Sequence, residues 1–555
     1  MRELGVRADV RPSDTPLSQL QGARGIIISG GPASVYDAAS PTIDPALLAQ
    51  PIPVLGICYG QQIFAHLLGG KVKPGTKGEY GPARLHLTQP GKLFRTWQDN
   101  SQVWMSHRDT VEQPPPGFTV NAITATCAIA AMEDTARQLY GVQFHPEVVH
   151  TTHGRPLLSN FVFDICGCVE DWDPRHRIPL IEEQIRATVG DRNVFFFVSG
   201  GVDSTVAFSL CLRALGPGRV RGVYVDTGLM REGETEFVRS MFGTDVAIED
   251  AAPQFLKPLA TVVEPEEKRR IIGEQFVLVQ ERIIEARHLL DGHWILGQGT
   301  IYPDTIESGG TKNAAVIKTH HNRVDGIQKL LASNRLVEPL SSFYKDEVRQ
   351  IGRELNLPPE LLDRHPFPGP GLAIRLLCSP ANGTLEQLAG GWLVPILSVG
   401  VQGDSRTYAP ILALENPVAE ASDLVNSISG INRVIAQVAV NTPLPCLSVH
   451  RSAIVPERIA RLRHADSIVR RLTAEYAFDA ETWQFPVVLV PLGTAHAPDS
   501  VVLRPIQSVD GMTAEAVAIP PALLAALAAE LLAIPGIAGV FRDLTDKPPA
   551  TIEWE

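Results

Sequence analysis

At 555 residues the chain is too long for one ordinary core; at roughly 150 residues per domain it should hold about three or four. Hydrophobic residues make up 44% and charged residues 20%, the composition of a packed globular protein and not of a disordered tail. Lys plus Arg number 49 against 61 Asp plus Glu, and the resulting −12 argues against a broad basic face for nucleic acid while leaving room for a small basic pocket around a phosphorylated metabolite.

No stretch approaches the ~20 uninterrupted apolar residues needed to cross a bilayer. The opening Met1-Arg2-Glu3-Leu4-Gly5 lacks the apolar core of a signal peptide. The 7 cysteines form neither zinc-like pairs of pairs nor a disulfide framework, and Cys166 and Cys168 read as reduced. A cytoplasmic, multidomain α/β protein is expected, with no membrane partner.

From about residue 23 to 165, strand-like runs alternate with helical stretches. Gly25-Ile26-Ile27-Ile28 and Val54-Leu55-Gly56-Ile57 end in glycine turns, the pattern of a parallel sheet with crossover helices. The second run leads into Gly56-Ile57-Cys58-Tyr59-Gly60, a cysteine on a strand-to-helix elbow. The helix predicted from Gln61 to Leu68 points its N-terminus at the sulfur and favours thiolate. Further on, Tyr140-Gly141-Val142-Gln143-Phe144-His145-Pro146-Glu147 reads as a strand whose i, i+2 spacing sets His145 and Glu147 on one face. A histidine oriented by a carboxylate can keep a cysteine deprotonated and later protonate a leaving amine. Ser29-Gly30-Gly31-Pro32 can turn backbone N–H groups toward an oxyanion.

A second α/β block begins near Asp173-Pro174, with strands predicted at 194–198, 220–225 and 294–296. Between the first two lies Ser199-Gly200-Gly201-Val202-Asp203-Ser204-Thr205, opening a helix through Leu215. Glycines let backbone amides approach phosphate, the helix N-terminus adds positive potential, and the hydroxyls of Ser199, Ser204 and Thr205 can donate. The loop lacks the Gly-Lys-Ser/Thr of a Walker A motif. Val225-Asp226-Thr227-Gly228 ends the next strand as a second nucleotide edge. Arg364-His365-Pro366-Phe367-Pro368-Gly369-Pro370-Gly371 closes the block, since three prolines and two glycines in its last six residues continue neither helix nor central strand. Beyond it, two stretches echo each other: 398–434 and 491–540 each carry a glycine turn, an Asp-Ser pair, a strand, a helix and a second strand. Duplication is expected, with two halves packing as subunits of a symmetric dimer would.

These residues carry resemblances. The cysteine elbow with His145 and Glu147 resembles the class I glutamine amidotransferases. That likeness implies Cys58 as nucleophile, His145 as acid/base, Glu147 as its orienter, Gly30 and Gly31 at the oxyanion, and Gln62 against glutamine. The loop is similar to the S-G-G-x-D-S signature of N-type ATP pyrophosphatases, which implies ATP on Ser199, Gly200, Gly201, Val202, Asp203, Ser204, Thr205 and Val225. That loop alone leaves asparagine, NAD, guanylate and tRNA-modifying enzymes open. Residues 266–273, 297–304, 317–322, 365–372 and 547–555 narrow the choice, because in order they resemble the glutamine-hydrolysing GMP synthases along nearly the whole chain.

The resemblance implies amination of XMP to GMP through adenylyl-XMP, with Mg²⁺ accompanying ATP, no organic cofactor and no protein-held metal. Small molecules (XMP, ATP, glutamine) are the implied partners, with no nucleic acid. XMP would meet Arg269 on a mobile lid, Asp404, Gln484, Lys547 and Glu553; His320 and His321 fall to a lid or to packing. Three domains are expected: a class I glutaminase at 1–168, an ATP pyrophosphatase at 172–375, and an α+β C-terminal domain at 376–555. The last resembles the long form of the family, so a monomer or a homodimer is expected. Two departures stand out. The family's first strand is expected to be missing, the sequence starting in the helix that ends at Arg2-Glu3-Leu4-Gly5-Val6. Ser106-His107-Arg108-Asp109 carries arginine where the family has glycine. The alternatives are an ammonia-dependent GMP synthetase with an impaired glutaminase, or another base-adenylating enzyme such as a tRNA modifier.

Overall fold

β-Branched runs broken by glycine turns build the sheets. The computed structural model describes residues 1–555 other than 32, 38–39, 75–78, 149, 290, 305–334, 389, 403–404, 419–420, 422–423, 426–427, 429 and 509–512. The chain divides into two compact units, Met1–Asp173 and Pro174–Glu555.

The first unit carries β1 (Ile26–Ile28), β2 (Val54–Ile57), α1 (Tyr59–Leu67), β3 (Glu79–Leu87), β4 (Ser101–His107), β5 (Thr119–Ile123), β6 (Ala131–Asp134) and β7 (Leu139–Val142). Among the described residues these strands form a seven-stranded sheet in the order β1-β2-β7-β6-β5-β3-β4. Only β1, β2 and β7 run parallel to one another. The other neighbours are antiparallel, so the parallel sheet expected here is a mixed one. The reason is local: β6 and β7 are separated by four residues, a hairpin length that reverses the chain. The helix end expected at the N-terminus is a single 3-10 turn, Arg2–Leu4.

After a helix at Ile178–Val189, the second unit carries β8 (Asn193–Phe197), α2 (Val202–Leu215), β9 (Val220–Asp226), α3 (Glu234–Phe242), β10 (Val246–Asp250), α4 (Pro265–Ala286), β11 (Trp294–Gly297), β12 (Leu336–Val337) and α5 (Lys345–Glu354). Among the described residues the strands form a parallel sheet in the order β10-β9-β8-β11-β12. Buried on both faces, β8 and β9 read as near-continuous apolar runs. The order reverses direction at β8, and ligands of open parallel sheets bind beyond the carboxyl ends of strands at such a switch point. The segment 199–205 follows β8 at that place.

The rest of the unit carries β13 (Glu386–Leu388), β14 (Gly391–Gln402), β15 (Ser405–Leu414), β16 (Arg433–Val440), α6 (Pro456–Glu475), β17 (Val487–Val490), β18 (Asp499–Leu503), α7 (Pro521–Leu532) and β19 (Ile537–Asp543). Among the described residues the sheet order is β13-β14-β15-β16-β19-β18-β17. In the first half β14 is antiparallel to β15, and β15 parallel to β16. The second half repeats the pattern, with β17 antiparallel to β18 and β18 parallel to β19. The halves meet where β16 and β19 pair antiparallel, as an isologous contact joins two subunits.

The C-terminal tail is locked into this sheet. Trp554 is fully buried and donates through Nε1 to Asp543 at 2.9 Å. Asp543 also pairs with the buried Arg433 and Arg504 at 2.8 and 2.7 Å. Glu555 forms a fully buried pair with Lys268 of α4 at 2.6 Å. Removing one partner of such a pair strands the other charge, at a cost of about 3–5 kcal/mol. The 7 cysteines are free. Among the described residues no helix is long and apolar enough to cross a membrane.

Candidate active sites

The first site is made by backbone strain at the end of β2. Cys58 holds φ 51° and ψ −104°, a left-handed conformation that a residue with a side chain adopts only when its surroundings enforce it. Glycines on either side permit the elbow. A Cβ on Gly56 would lie 2.6 Å from the carbonyl of Gly60, and one on Gly60 would lie 2.3 Å from the oxygen of Ile28. Cys58 N–H donates to Val142 O at 2.7 Å, anchoring the turn to β7, and Cys58 caps α1.

The partner residues arrive differently from expectation. β7 ends at Val142, so His145 and Glu147 lie in a turn beyond it and not on a strand. Pro146, which has no N–H to give a ladder, stands between them. The turn still brings them together, His145 Nδ1 meeting Glu147 Oε1 at 2.7 Å. Burial works against charge on His145, but the sulfur of Cys58 and the carboxylate of Glu147 together outweigh it and raise the imidazole to about 10. His145 Nε2 is buried and meets no hydrogen-bond partner of standard geometry among the described residues. A Cβ on Gly30 would lie 3.1 Å from His145 Cε1 and 3.4 Å from Cys58 Cβ, whereas one on Gly31 would meet nothing within 4 Å. The Gly30-Gly31 turn thus reaches the pair and opens outward beside it.

Gln62 is buried, and its Nε2 donates to Asp109 O at 2.8 Å. Gln143, which the sequence reading passed over, donates to Cys58 Sγ at 3.6 Å, and Cys58 Sγ faces Ser106 O at 3.6 Å. Gln143 sits two residues before His145, and only the fold shows that it reaches the sulfur. Arg108 is exposed, between buried His107 and Asp109.

The second site follows β8. Gly200 adopts φ 74° and Gly201 caps α2. Ser199 Oγ and Ser204 Oγ lie 2.9 Å apart, and Gly201 N–H donates to Ser199 Oγ at 3.2 Å. Val202 and Thr205 are buried, and Thr205 Oγ1 has no hydrogen-bond partner among the described residues. Val225 lies near the end of β9, at the same sheet edge as Ser199, since Val198 N–H donates to Val223 O at 2.9 Å. Asp203 Oδ2 faces Lys345 Nζ at 3.5 Å. Burial pushes the Asp203 carboxyl above its usual range, against the pull of Lys345 and with the push of Asp304. Asp203 Oδ1 is buried without a hydrogen-bond partner among the described residues. Lys345 opens α5, far along the chain from the loop, and its sequence context alone does not announce it. The 297–304 motif is explained in part by Gly299, where a Cβ would lie 2.7 Å from Ser204 N.

The residues expected at XMP come together only in part. Glu553 accepts from Arg375 at 3.0 and 2.8 Å and from Gln484 Nε2 at 3.1 Å. Gln484 is buried and also donates to Pro366 O at 3.1 Å. Arg269, implied by the resemblance to lie on a lid, belongs here to the second turn of the 22-residue α4 and donates to the main-chain oxygen of Glu555. The proline at the start of α4 and the buried neighbour Lys268 fix that helix in the core. Lys547 is half-buried and its backbone pairs with Ala514. Asp404, His320 and His321 lie outside the described residues. Arg375, unassigned from sequence, pairs with Glu553 here, and Arg364, also unassigned, pairs with Glu234 beside the 199–205 loop.

Residues 1–165 match the family model of glutamine amidotransferase class-I, and residues 473–554 that of the GMP synthase C terminal domain. A probable glutamine-hydrolysing GMP synthase of Leptospira interrogans is 40% identical over 585 residues, covering 100% of this chain and 96% of the relative. The glutamine-hydrolysing GMP synthase of Caldicellulosiruptor saccharolyticus is 37% identical over 569 residues, covering 100% and 96%. That of Aquifex aeolicus is 40% identical but covers 80% of this chain and 94% of its own. The chain belongs to the family of glutamine-hydrolysing GMP synthases.

Proposed function

We propose that the chain converts XMP to GMP with ATP and glutamine, yielding AMP, diphosphate and glutamate. The observation that carries this reading is the pairing in one polypeptide of a strained Cys58 facing His145 with a glycine-serine loop at the switch point of a parallel sheet. In the first unit Cys58 sulfur attacks the carboxamide carbon of glutamine, and the oxyanion meets backbone N–H groups of Gly30 and Gly31. His145, held by Glu147, gives a proton to the departing ammonia, and water then frees glutamate from the thioester. Gln62 and Gln143 line the sulfur's surroundings.

In the second unit the loop and the hydroxyls of Ser199, Ser204 and Thr205 hold the phosphates of ATP, with Val225 at the adenosine side. The C2 oxygen of XMP attacks the α-phosphorus, diphosphate leaves, ammonia adds at C2, and AMP departs. Asp203, with an unbonded buried oxygen near a second carboxylate, suits the Mg²⁺ that accompanies ATP, which when bound offsets charge on the diphosphate. Arg269, Asp404, Gln484, Lys547 and Glu553 are assigned to XMP, where Lys547 suits a phosphate and Glu553 a purine or ribose donor. The enzyme is assigned to the cytoplasm and to a monomer or homodimer, because the β16 and β19 pairing already supplies a dimer-like contact within one chain.

The test is product analysis with XMP, ATP and Mg²⁺, comparing glutamine with an ammonium salt. GMP and AMP from both sources support the reading. GMP from ammonium alone leaves an ammonia-dependent synthetase, and no GMP from either removes XMP as the acceptor.

A further inference from the structure

Arg364 opens the proline-glycine segment and reaches back to the loop after β8. Its Nη1 donates to Gly200 O at 3.1 Å, and its Nη2 donates to both carboxylate oxygens of Glu234 at 2.7 and 2.6 Å. The side chains are 18% and 6% exposed, so the pair is shielded from water and salt. Glu234 is the first residue of α3, where a carboxylate also suits the helix N-terminus.

What Arg364 grips is the most easily turned peptide in the loop. The bond between Gly200 and Gly201 has glycine on both sides, so no Cβ resists rotation of that unit. A trans peptide is planar, with its C=O and N–H pointing in opposite directions. Fixing the Gly200 carbonyl on the outside therefore fixes Gly201 N–H toward the inside, where it donates to Ser199 Oγ at 3.2 Å. That N–H is one of the donors a phosphate would meet, beside Ser204 Oγ.

We propose that the Arg364 and Glu234 ion pair is a positioning latch for the pyrophosphate loop, holding the Gly200-Gly201 peptide so that Gly201 N–H is presented to a phosphate of ATP. This rests on the reading of 199–205 as the ATP loop. Arg364 is a positioning residue: it acts through the backbone of the loop, and Glu234 acts through Arg364.

The full chain is assayed for AMP release with XMP and ammonium while ATP is varied. Arg364→Met is expected to raise KM for ATP by about tenfold or more, the scale of one lost charge-assisted bond, with KM for XMP changed by less than about threefold. Arg364→Lys restores the charge but not the fork that reaches both partners, and should recover part of the loss. Glu234→Gln should also raise KM for ATP, and adding it to Arg364→Met should change little further, since the two act as one unit. An unchanged KM for ATP in Arg364→Met, or full additivity in the double variant, overturns the latch. If Arg364→Met does not fold, Glu234→Gln decides by the same KM. The underlying reading fails separately: if Asp203→Ala releases AMP at the native rate, the loop is not the ATP site. If Asp203→Ala stops release while Arg364→Met keeps the native KM for ATP, the latch alone is wrong.

Discussion

The two candidate sites achieve reactivity by opposite means. At Cys58 the chain bends its backbone into a left-handed conformation that sets one buried sulfur beside an imidazole raised to about 10. At Ser199, on the proposed reading, the reactive atoms belong to the substrates, and the protein supplies backbone N–H groups, hydroxyls and the half-buried carboxylate of Asp203. A covalent site concentrates its chemistry in one atom and should fail outright when that atom is removed. A positioning site spreads its effect over many weak donors and should fail in grades.

The sharpest way to break this comparison is Cys58→Ala. Glutamine-dependent GMP formation should fall by about 10⁴-fold or more, while ammonium-dependent formation stays within about twofold, both read as GMP by chromatography. Equal loss with both nitrogen sources in a folded variant would merge the two sites into one. Next in size, Asp203→Ala should lower AMP release about 10²- to 10³-fold with either source, measured by product quantitation. A loss confined to glutamine would move Asp203 out of the second site.

Legibility from sequence follows the same divide. β1, β2, β8, β9 and the cysteine elbow were readable because each depends on adjacent residues: β-branched or aromatic runs ending in glycine turns, with Gly56 and Gly60 at the elbow where a Cβ would strike backbone. Lys345 and Arg364 were not, because each reaches the loop from more than a hundred residues away, and an isolated lysine or arginine has no local signature. β7 ends at Val142, before His145, so a spacing read as strand geometry is a turn that produces the same hydrogen bond. The lid at Arg269 came from the family resemblance and not from its neighbours, and the structure sets it in a helix turn beside the buried Lys268 and Glu555 pair. The echo between 398–434 and 491–540 was legible as pattern, whereas its antiparallel seam at β16 and β19 needed the fold.

Smaller effects sharpen the contrast. Gly60→Ala should destabilise the first unit by roughly 1–3 kcal/mol, since its Cβ would strike Ile28 O at 2.3 Å, seen as a lower melting transition for that unit in calorimetry. His145 is held above its ordinary 6.5 and reaches about 10. The stabilisation from its imidazolium is therefore complete below about 6.5 and disappears as pH climbs through about 10. Glu147→Gln should move that upper limit to lower pH in an NMR titration of His145, and the alkaline limb of glutamine-dependent turnover with it. The ammonium-dependent limb should not move. Smallest of all, light scattering at submicromolar concentration should give the mass of one chain; a mass of two would show that the internal β16 and β19 contact does not replace a second copy.

The most direct measurement follows amide-¹⁵N-labelled glutamine in a reaction with XMP, ATP and Mg²⁺, identifying both the labelled product and the spent nucleotide. Two linked chemistries predict label at the C2 amino group of GMP, with AMP and diphosphate formed in equal amounts. ADP and orthophosphate, or label that never leaves the glutamine and glutamate pool as GMP, would contradict the account.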